Sequence, residues 1–143
     1  MSNQVIPGCG VHHIALGVSN LERSLKFYEQ LGFSLVRRWE SGETTIAMVD
    51  IGDGTCLEIF SGCTGKAPAD RTCGAYFHLA LSVRDAADAY RLALQAGAAP
   101  KKEPASVTLA SQPPLPAVIA FVYGPDGEQI EFFQVRGSSS VNE

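Results

Sequence analysis

Apolar and polar residues follow the same order in two stretches of this chain. One stretch begins at His13 and the other at His78, and each opens with a short, strand-like apolar run. Apolar side chains then recur every three or four positions, which is typical of an amphipathic helix. Polar residues that favour a helix start lie just before these segments, Ser19 or Asn20 in the first and Asp85 in the second. A glycine that suits a left-handed helix end follows 19 positions after each histidine, at Gly32 and Gly97.

The ends of the two stretches also match. The first has two apolar runs, Ile46–Val49 and Leu57–Phe60, joined through Asp53-Gly54. The second has the equivalent runs, Ile119–Val122 and Ile130–Phe133, joined through Asp126-Gly127. Asp-Gly between apolar runs predicts a β-hairpin, because glycine readily adopts positive φ. Each copy therefore predicts one strand, one helix and about three further strands.

This repeat sets the predicted domain organisation. A chain of 143 residues suits one domain. We expect unit one at about 11–62, a linker at 63–74, unit two at about 75–135 and a tail at 136–143. The segment from Glu103 to Pro116 contains four prolines and is predicted to be a loop or an edge strand over a cleft.

Four polar residues stand at equivalent places in the two copies. A histidine, His13 or His78, opens each first strand, and a glutamate, Glu58 or Glu131, lies inside each last apolar run. An unpaired carboxylate facing a core costs several kcal/mol, so such a glutamate needs a partner or a cavity. Two imidazoles and two carboxylates suit one divalent first-row metal. The alternative is that each glutamate points to solvent. His12 is expected to face solvent or to form a hydrogen bond near the first strand.

Composition and charge limit the expected binding partners and the expected cellular location. The net charge is −4 with no basic run, which disfavours nucleic acid, and no apolar stretch is long enough to span a membrane. The first ten residues contain no signal peptide pattern, so we expect a cytoplasmic protein. The cysteines form no CxxC pair and are expected to be reduced thiols, some of them buried: Cys9, Cys56, Cys63 and Cys73.

The chain resembles the vicinal oxygen chelate (glyoxalase/bleomycin resistance protein/dioxygenase) superfamily. The resemblance runs from about Val11 to Val135 and rests on His13-Ile-Ala-Leu, Ser24-Leu-Lys-Phe-Tyr28, Leu31-Gly-Phe33, Leu57-Glu58, His78-Leu-Ala-Leu, and Gly124-Pro-Asp-Gly127 with Ile130-Glu131. It implies an α+β fold in which two tandem βαβββ units form a curved mixed sheet around a metal cleft. The open edges of such sheets lead us to expect a homodimer. The resemblance also implies a small-molecule substrate.

The ligand pattern is most similar to that of glyoxalase I. The resemblance implies one divalent ion (Zn, Ni, Co, Mn or Fe) held by His13, Glu58, His78 and Glu131. It further implies a lyase or isomerase that moves a proton through a metal-bound enediolate of a substrate derived from an α-oxoaldehyde. Glu131 would be the general base and Glu58 its counterpart. The alternatives are an epimerase or extradiol-type dioxygenase of the same superfamily, or a non-catalytic drug-binding resistance protein.

Two positions depart from the glutathione-binding pattern of bacterial glyoxalase I. Gly17 stands where an arginine is expected, and Gly62 stands where an asparagine is expected. Glutathione is one candidate cofactor. Because glycine stands at both positions, its carboxylates would need other partners. The basic residues that could substitute are Arg37, Arg38, Arg71, Lys101 and Lys102.

Overall fold

The computed structural model describes residues 2–65 and 73–137. The chain divides into two compact units, Met1–Thr64 (unit 1) and Gly65–Glu143 (unit 2). The boundary falls in the segment predicted as a linker. Residues 66–72 of that linker and 138–143 of the predicted tail lie outside the described residues. Whether the chain is one domain with the predicted bounds stays a prediction.

Each unit has the order strand, helix, three strands. Unit 1 contains β1 (His13–Gly17), α1 (Leu21–Gln30), β2 (Ser34–Ser41), β3 (Thr44–Asp50) and β4 (Cys56–Phe60). Unit 2 contains β5 (Leu79–Ser82), α2 (Ala86–Gln95), β6 (Ala99–Leu109), β7 (Leu115–Tyr123) and β8 (Gln129–Val135). The sheets have the orders β1-β4-β3-β2 and β5-β8-β7-β6, in which the first pair is parallel and the others antiparallel. The α+β class and the two βαβββ units are confirmed, as two four-stranded mixed sheets. The metal cleft stays a prediction.

The helix ends follow the local sequence. Asn20 and Asp85 are the N-caps, and their side chains accept the backbone N–H three residues on at 3.1 and 3.0 Å. Gly32 and Gly97 have φ of +92° and +107°, where a side chain would be strained. Of the two N-caps predicted for unit 1, Ser19 and Asn20, the structure uses Asn20. In the described ranges, no helix is long and apolar enough to cross a membrane.

One face of each sheet is buried and the other carries the glutamate. In unit 2 the cross-strand pairs Ala120–Phe132 and Val122–Ile130 are at most 3% exposed, and α2 packs against these strands. In unit 1 the equivalent buried pairs are Ala47–Ile59 and Val49–Leu57. Because side chains alternate along a strand, the intervening residues share the opposite face. We call it the glutamate face.

The proline-bearing segment at 103–116 was predicted as a loop or an edge strand. Much of it lies in β6, which is the last strand of its sheet order, and β7 begins at Leu115. The pairing of β6 with β7 shifts twice, between Pro100 and Lys102 and between Lys102 and Ala105. Proline is tolerated at such irregular edges because its missing N–H removes no ladder bond from the sheet interior. The edge-strand prediction is confirmed for residues 103–109. Pro116 lies instead in β7, between β6 and β8, and the predicted cleft stays a prediction.

Candidate metal site

In unit 1, parallel pairing places His13 beside Glu58. Ala15 of β1 lies opposite Glu58 of β4, and His13, two residues earlier, shares its face. The His13 Nε2 atom lies 3.6 Å from Glu58 Oε1. The glutamate side chain is 15% exposed, whereas the histidine is 39% exposed. Met48 of β3 is the cross-strand neighbour of Glu58.

Unit 2 repeats this arrangement with His78 and Glu131. Ala80 of β5 lies opposite Glu131 of β8, and His78 precedes Ala80 by two residues. The His78 Nε2 atom lies 3.2 Å from Glu131 Oε1, and Glu131 is the more enclosed of the two glutamates, with a side chain 11% exposed. Phe121, the cross-strand neighbour of Glu131, meets the His78 ring edge-on, with centroids 5.3 Å apart.

Each pair has the spacing of two ligands on one ion. Nitrogen and oxygen donors bound at about 2.1 Å lie about 3.4 Å apart at a tetrahedral angle and about 3.0 Å apart at a right angle. The observed separations, 3.6 Å and 3.2 Å, fit this range. Within the described residues of each unit, no group of three or more His, Cys, Asp or Glu side chains could hold an ion. Each unit therefore supplies two donors, and the binding of one ion by all four residues stays a prediction.

His12 contacts the candidate ligand beside it. Its Nδ1 atom lies 2.8 Å from Nδ1 of His13, and the two exposed rings meet at 83°. For His13 to bind an ion through Nε2, that nitrogen must carry a lone pair, so Nδ1 carries the proton and donates it to His12. Sequence reasoning placed a hydrogen bond near this strand but missed that His13 is the partner. Unit 2 has Phe77 at the equivalent position.

The two glycines that replace the expected glutathione contacts differ in their surroundings. A Cβ atom built on Gly17 would collide with Cys63 Sγ and lie 3.2 Å from Cys63 Cβ. Gly62 has a φ of +80°, which disfavours a side chain there. An arginine at position 17 therefore requires Cys63 to shift. At position 62 a Cβ atom has no described heavy atom within 4 Å, and asparagine is one of the side-chain-bearing residues that adopt positive φ most often.

The basic residues considered as substitutes differ in their surroundings. Arg38 pairs with Glu22 at 2.5 Å, and this hydrogen bond and charge lower the pKa of Glu22 and raise the pKa of Arg38. Lys101 lies over the Phe121 ring. Arg71 lies outside the described residues. Among the four of these residues that the structure describes, Lys101 is the one with a contact to Phe121, the neighbour of the His78–Glu131 pair.

All four cysteines are free thiols. Cys56 is buried, whereas Cys9, Cys63 and Cys73 are exposed. Burial, followed by the charges of Asp50 and Asp53, raises the pKa of the Cys56 thiol. This thiol is therefore protonated at neutral pH and behaves as a small apolar side chain.

Comparison with known proteins identifies the family. Residues 10–132 match the model of the Glyoxalase/Bleomycin resistance protein/Dioxygenase superfamily. The chain is 36% identical over 135 residues to a lactoylglutathione lyase of Neisseria meningitidis serogroup A, covering 90% of this chain and 94% of that protein. It is 33% identical over 128 residues to a lactoylglutathione lyase of Salmonella typhimurium, covering 87% and 91%.

Solved structures agree with this assignment. Glyoxalase I of Leishmania major, described as trypanothione-dependent, is 26% identical with a TM-score of 0.67, covering 89% of this chain and 87% of that one. A glyoxalase family protein of Enterococcus faecalis has a TM-score of 0.72 at 22% identity, covering 90% and 99%, and supports the fold alone. The chain belongs to the glyoxalase/bleomycin resistance protein/dioxygenase superfamily.

Proposed function

We propose that this protein is a metal-dependent lyase or isomerase of glyoxalase I type. Its substrate would be the hemithioacetal that an α-oxoaldehyde forms with a thiol. The proposal rests on two histidine–glutamate pairs with equivalent strand positions and ligand-like spacing. Relatives at 33–36% identity that are named lactoylglutathione lyase support the same reaction class.

The proposed metal ligands are His13, Glu58, His78 and Glu131, around one divalent ion. Imidazole nitrogen and carboxylate oxygen suit Zn, Ni, Co, Mn or Fe in the divalent state. When bound, the ion would act as a Lewis acid that stabilises negative charge on two neighbouring substrate oxygens. The half-exposed histidines and more enclosed glutamates leave the donor atoms reachable from one face of each sheet.

The proposed proton carrier is Glu131. It removes the proton from the carbon that bears the sulfur and hydroxyl, and it returns that proton to the neighbouring carbonyl carbon. The hydroxyl proton passes to the former ketone oxygen. The hydroxyl carbon therefore becomes the thioester carbonyl and the former ketone becomes the alcohol, so the substrate is isomerised with no external oxidant. The whole Glu131 residue, backbone included, is 8% exposed and lies between Ile130 and Phe132 in the chain. Low exposure keeps bulk water from exchanging with the proton during transfer. Glu58 would be its counterpart in unit 1.

The direct test is turnover by the metal-loaded protein without oxygen. We expect thioester formation from methylglyoxal and a thiol with redox-inert Zn, Ni or Co, followed by ultraviolet absorbance under nitrogen. Strict dependence on Fe(II) and oxygen would place the protein among dioxygenase-type members instead. Tight binding of the adduct without turnover, with every metal tried, would favour a non-catalytic binding protein.

Self-association is also proposed. β2 is an end strand of its sheet, and its apolar residues Leu35, Val36 and Trp39 are 37–54% exposed. Unpaired strand edges with apolar side chains favour association. We expect a homodimer in solution, and a monomer mass by light scattering at high protein concentration would contradict this. The cytoplasmic location also stays a prediction.

A further inference from the structure

We propose that Phe121 is a positioning residue for His78. Its ring holds the His78 imidazole in the orientation in which Nε2 meets the ion. In unit 1 a hydrogen bond with His12 restrains the equivalent histidine, His13. The inference rests on the proposed function, since it concerns how one ligand of that same site is held.

The two units restrain their equivalent histidines by different means. The Nδ1 atom of His13 lies 2.8 Å from that of His12, which makes a hydrogen bond between the rings. Unit 2 has Phe77 at the position of His12, and a phenyl side chain carries no nitrogen or oxygen acceptor. Metal-binding histidines almost always have their ring fixed by a second contact. The His78 ring therefore needs a contact of another kind.

The Phe121 ring provides this contact. The ring centroids of His78 and Phe121 lie 5.3 Å apart and the ring planes meet at 90°. Aromatic pairs favour this edge-to-face arrangement at centroid separations of about 4.5–7 Å. Phe121 is also the cross-strand neighbour of Glu131. The ring therefore restrains the imidazole while Nε2 lies 3.2 Å from Glu131 Oε1, the spacing of two ligands on one ion.

Phe121 is itself held firmly. It is half-buried and lies in β7, which has β6 on one side and β8 on the other. The Lys101 Nζ atom lies 5.0 Å from the ring centroid, within the range of cation–π attraction. The equivalent residue of unit 1 is Met48, the cross-strand neighbour of Glu58. Methionine is flexible and restrains a neighbouring ring less than phenylalanine does. The aromatic residue thus lies in the unit that has no histidine before the ligand.

The first test observes the His78 ring by NMR at one fixed pH in the metal-free, full-length protein. The chain has three histidines, so the His78 signals are assigned by their loss in His78→Ala. We expect ring-proton shifts displaced by Phe121 and couplings of a single χ1 rotamer. Phe121→Leu should remove the displacement and average the couplings, whereas Phe121→Tyr keeps the ring and should retain both.

The matched control is Phe133→Leu. Phe133 is half-buried on the same face of the sheet, two residues beyond Glu131, and pairs with Ile119. Its replacement should leave the His78 couplings unchanged. Amide spectra of the same samples show whether the sheet is retained. Should Phe121→Leu lose the sheet, Phe121→Met takes its place, because methionine is the residue that unit 1 has at this position.

The second test measures Co²⁺ affinity by calorimetry with the same proteins. An unrestrained imidazole loses rotamer freedom when it binds an ion, and it also lacks the aromatic contact. Either loss corresponds to about threefold to tenfold in affinity. We expect Phe121→Leu to weaken Co²⁺ binding by that factor, and Phe121→Tyr and Phe133→Leu to bind Co²⁺ as the wild type does.

The outcomes separate this inference from the proposed reaction. Identical His78 shifts and couplings in the wild type and Phe121→Leu would overturn the role of Phe121, as would an unchanged Co²⁺ affinity or a wild type that binds no Co²⁺. Turnover of the hemithioacetal is measured with the same metal-loaded proteins. If Phe121→Leu releases the His78 ring and weakens Co²⁺ binding but the wild type turns over no adduct, the positioning role stands and the proposed reaction fails. If adduct is turned over and Phe121→Leu leaves the His78 ring unchanged, the reaction stands and this inference fails.

Discussion

Replacement of Glu131 by glutamine tests the proposed proton carrier. The amide has nearly the shape of the carboxylate and keeps an oxygen 3.2 Å from the position that His78 Nε2 occupies. It cannot accept a proton at neutral pH. Because general acid–base catalysis contributes about two to four orders of magnitude, we expect turnover to fall by that factor. This corresponds to about 3–5 kcal/mol in the activation barrier.

Glu131→Gln should lower metal affinity by a smaller factor than it lowers turnover. An amide oxygen remains a ligand, though a neutral one, so Glu131→Gln should keep partial affinity for Co²⁺ or Ni²⁺. The assay measures turnover at saturating metal together with metal affinity by calorimetry. Glu58→Gln is the matched control, because Glu58 holds the equivalent position in unit 1. It should weaken metal binding but lower the saturated rate by less than Glu131→Gln does. Wild-type turnover in Glu131→Gln would remove Glu131 as the base.

Three further changes probe the surroundings of the site. His12→Phe removes the 2.8 Å hydrogen bond to His13 and should lower Co²⁺ affinity by about tenfold to a hundredfold, whereas His12→Gln should recover part of the loss. Equal Co²⁺ affinities of the wild type and His12→Phe by calorimetry would show that this hydrogen bond does not support metal binding by His13. Gly17→Ala should lower the free energy of unfolding in urea by about 1–3 kcal/mol, because its Cβ collides with Cys63 Sγ, and Cys63→Ala in the same chain should recover most of the loss. A loss that Cys63→Ala leaves unchanged would refute that cause. The raised pKa of Cys56 favours its neutral thiol, so iodoacetamide at pH 8 should label exposed Cys63 before Cys56 in the folded protein. Equal labelling rates of the two cysteines by mass spectrometry would show that Cys56 is accessible.

Local signals account for what the sequence predicted well. The N-caps and Gly32 act through neighbouring backbone, so residue type alone indicates where α1 begins and ends. The positions of His13 and Glu58 were predictable because the repeat restricts both to equivalent places in the two copies. Their shared face follows from strand alternation once β1 pairs with β4.

Features that depend on tertiary structure could not be predicted from the sequence. The direction of Lys101 depends on a bulge, and an extra residue in a strand shifts the alternation on which sequence patterns rely. The contact between His12 and His13 depends on side-chain rotamers, whereas alternation alone places neighbours on opposite faces. The approach of Cys63 to Gly17 joins residues 46 positions apart, which no periodicity indicates.

The central claim is that all four ligands serve one ion, and a Co²⁺ titration tests it most directly. We predict one Co²⁺ per chain by calorimetry and visible absorbance, and loss of this binding in both His13→Ala and His78→Ala. Because each substitution removes a ligand from a different unit, equal loss requires a site that depends on both pairs. Two ions per chain, or binding that persists unchanged in either variant, would contradict the claim and show that each histidine–glutamate pair acts separately.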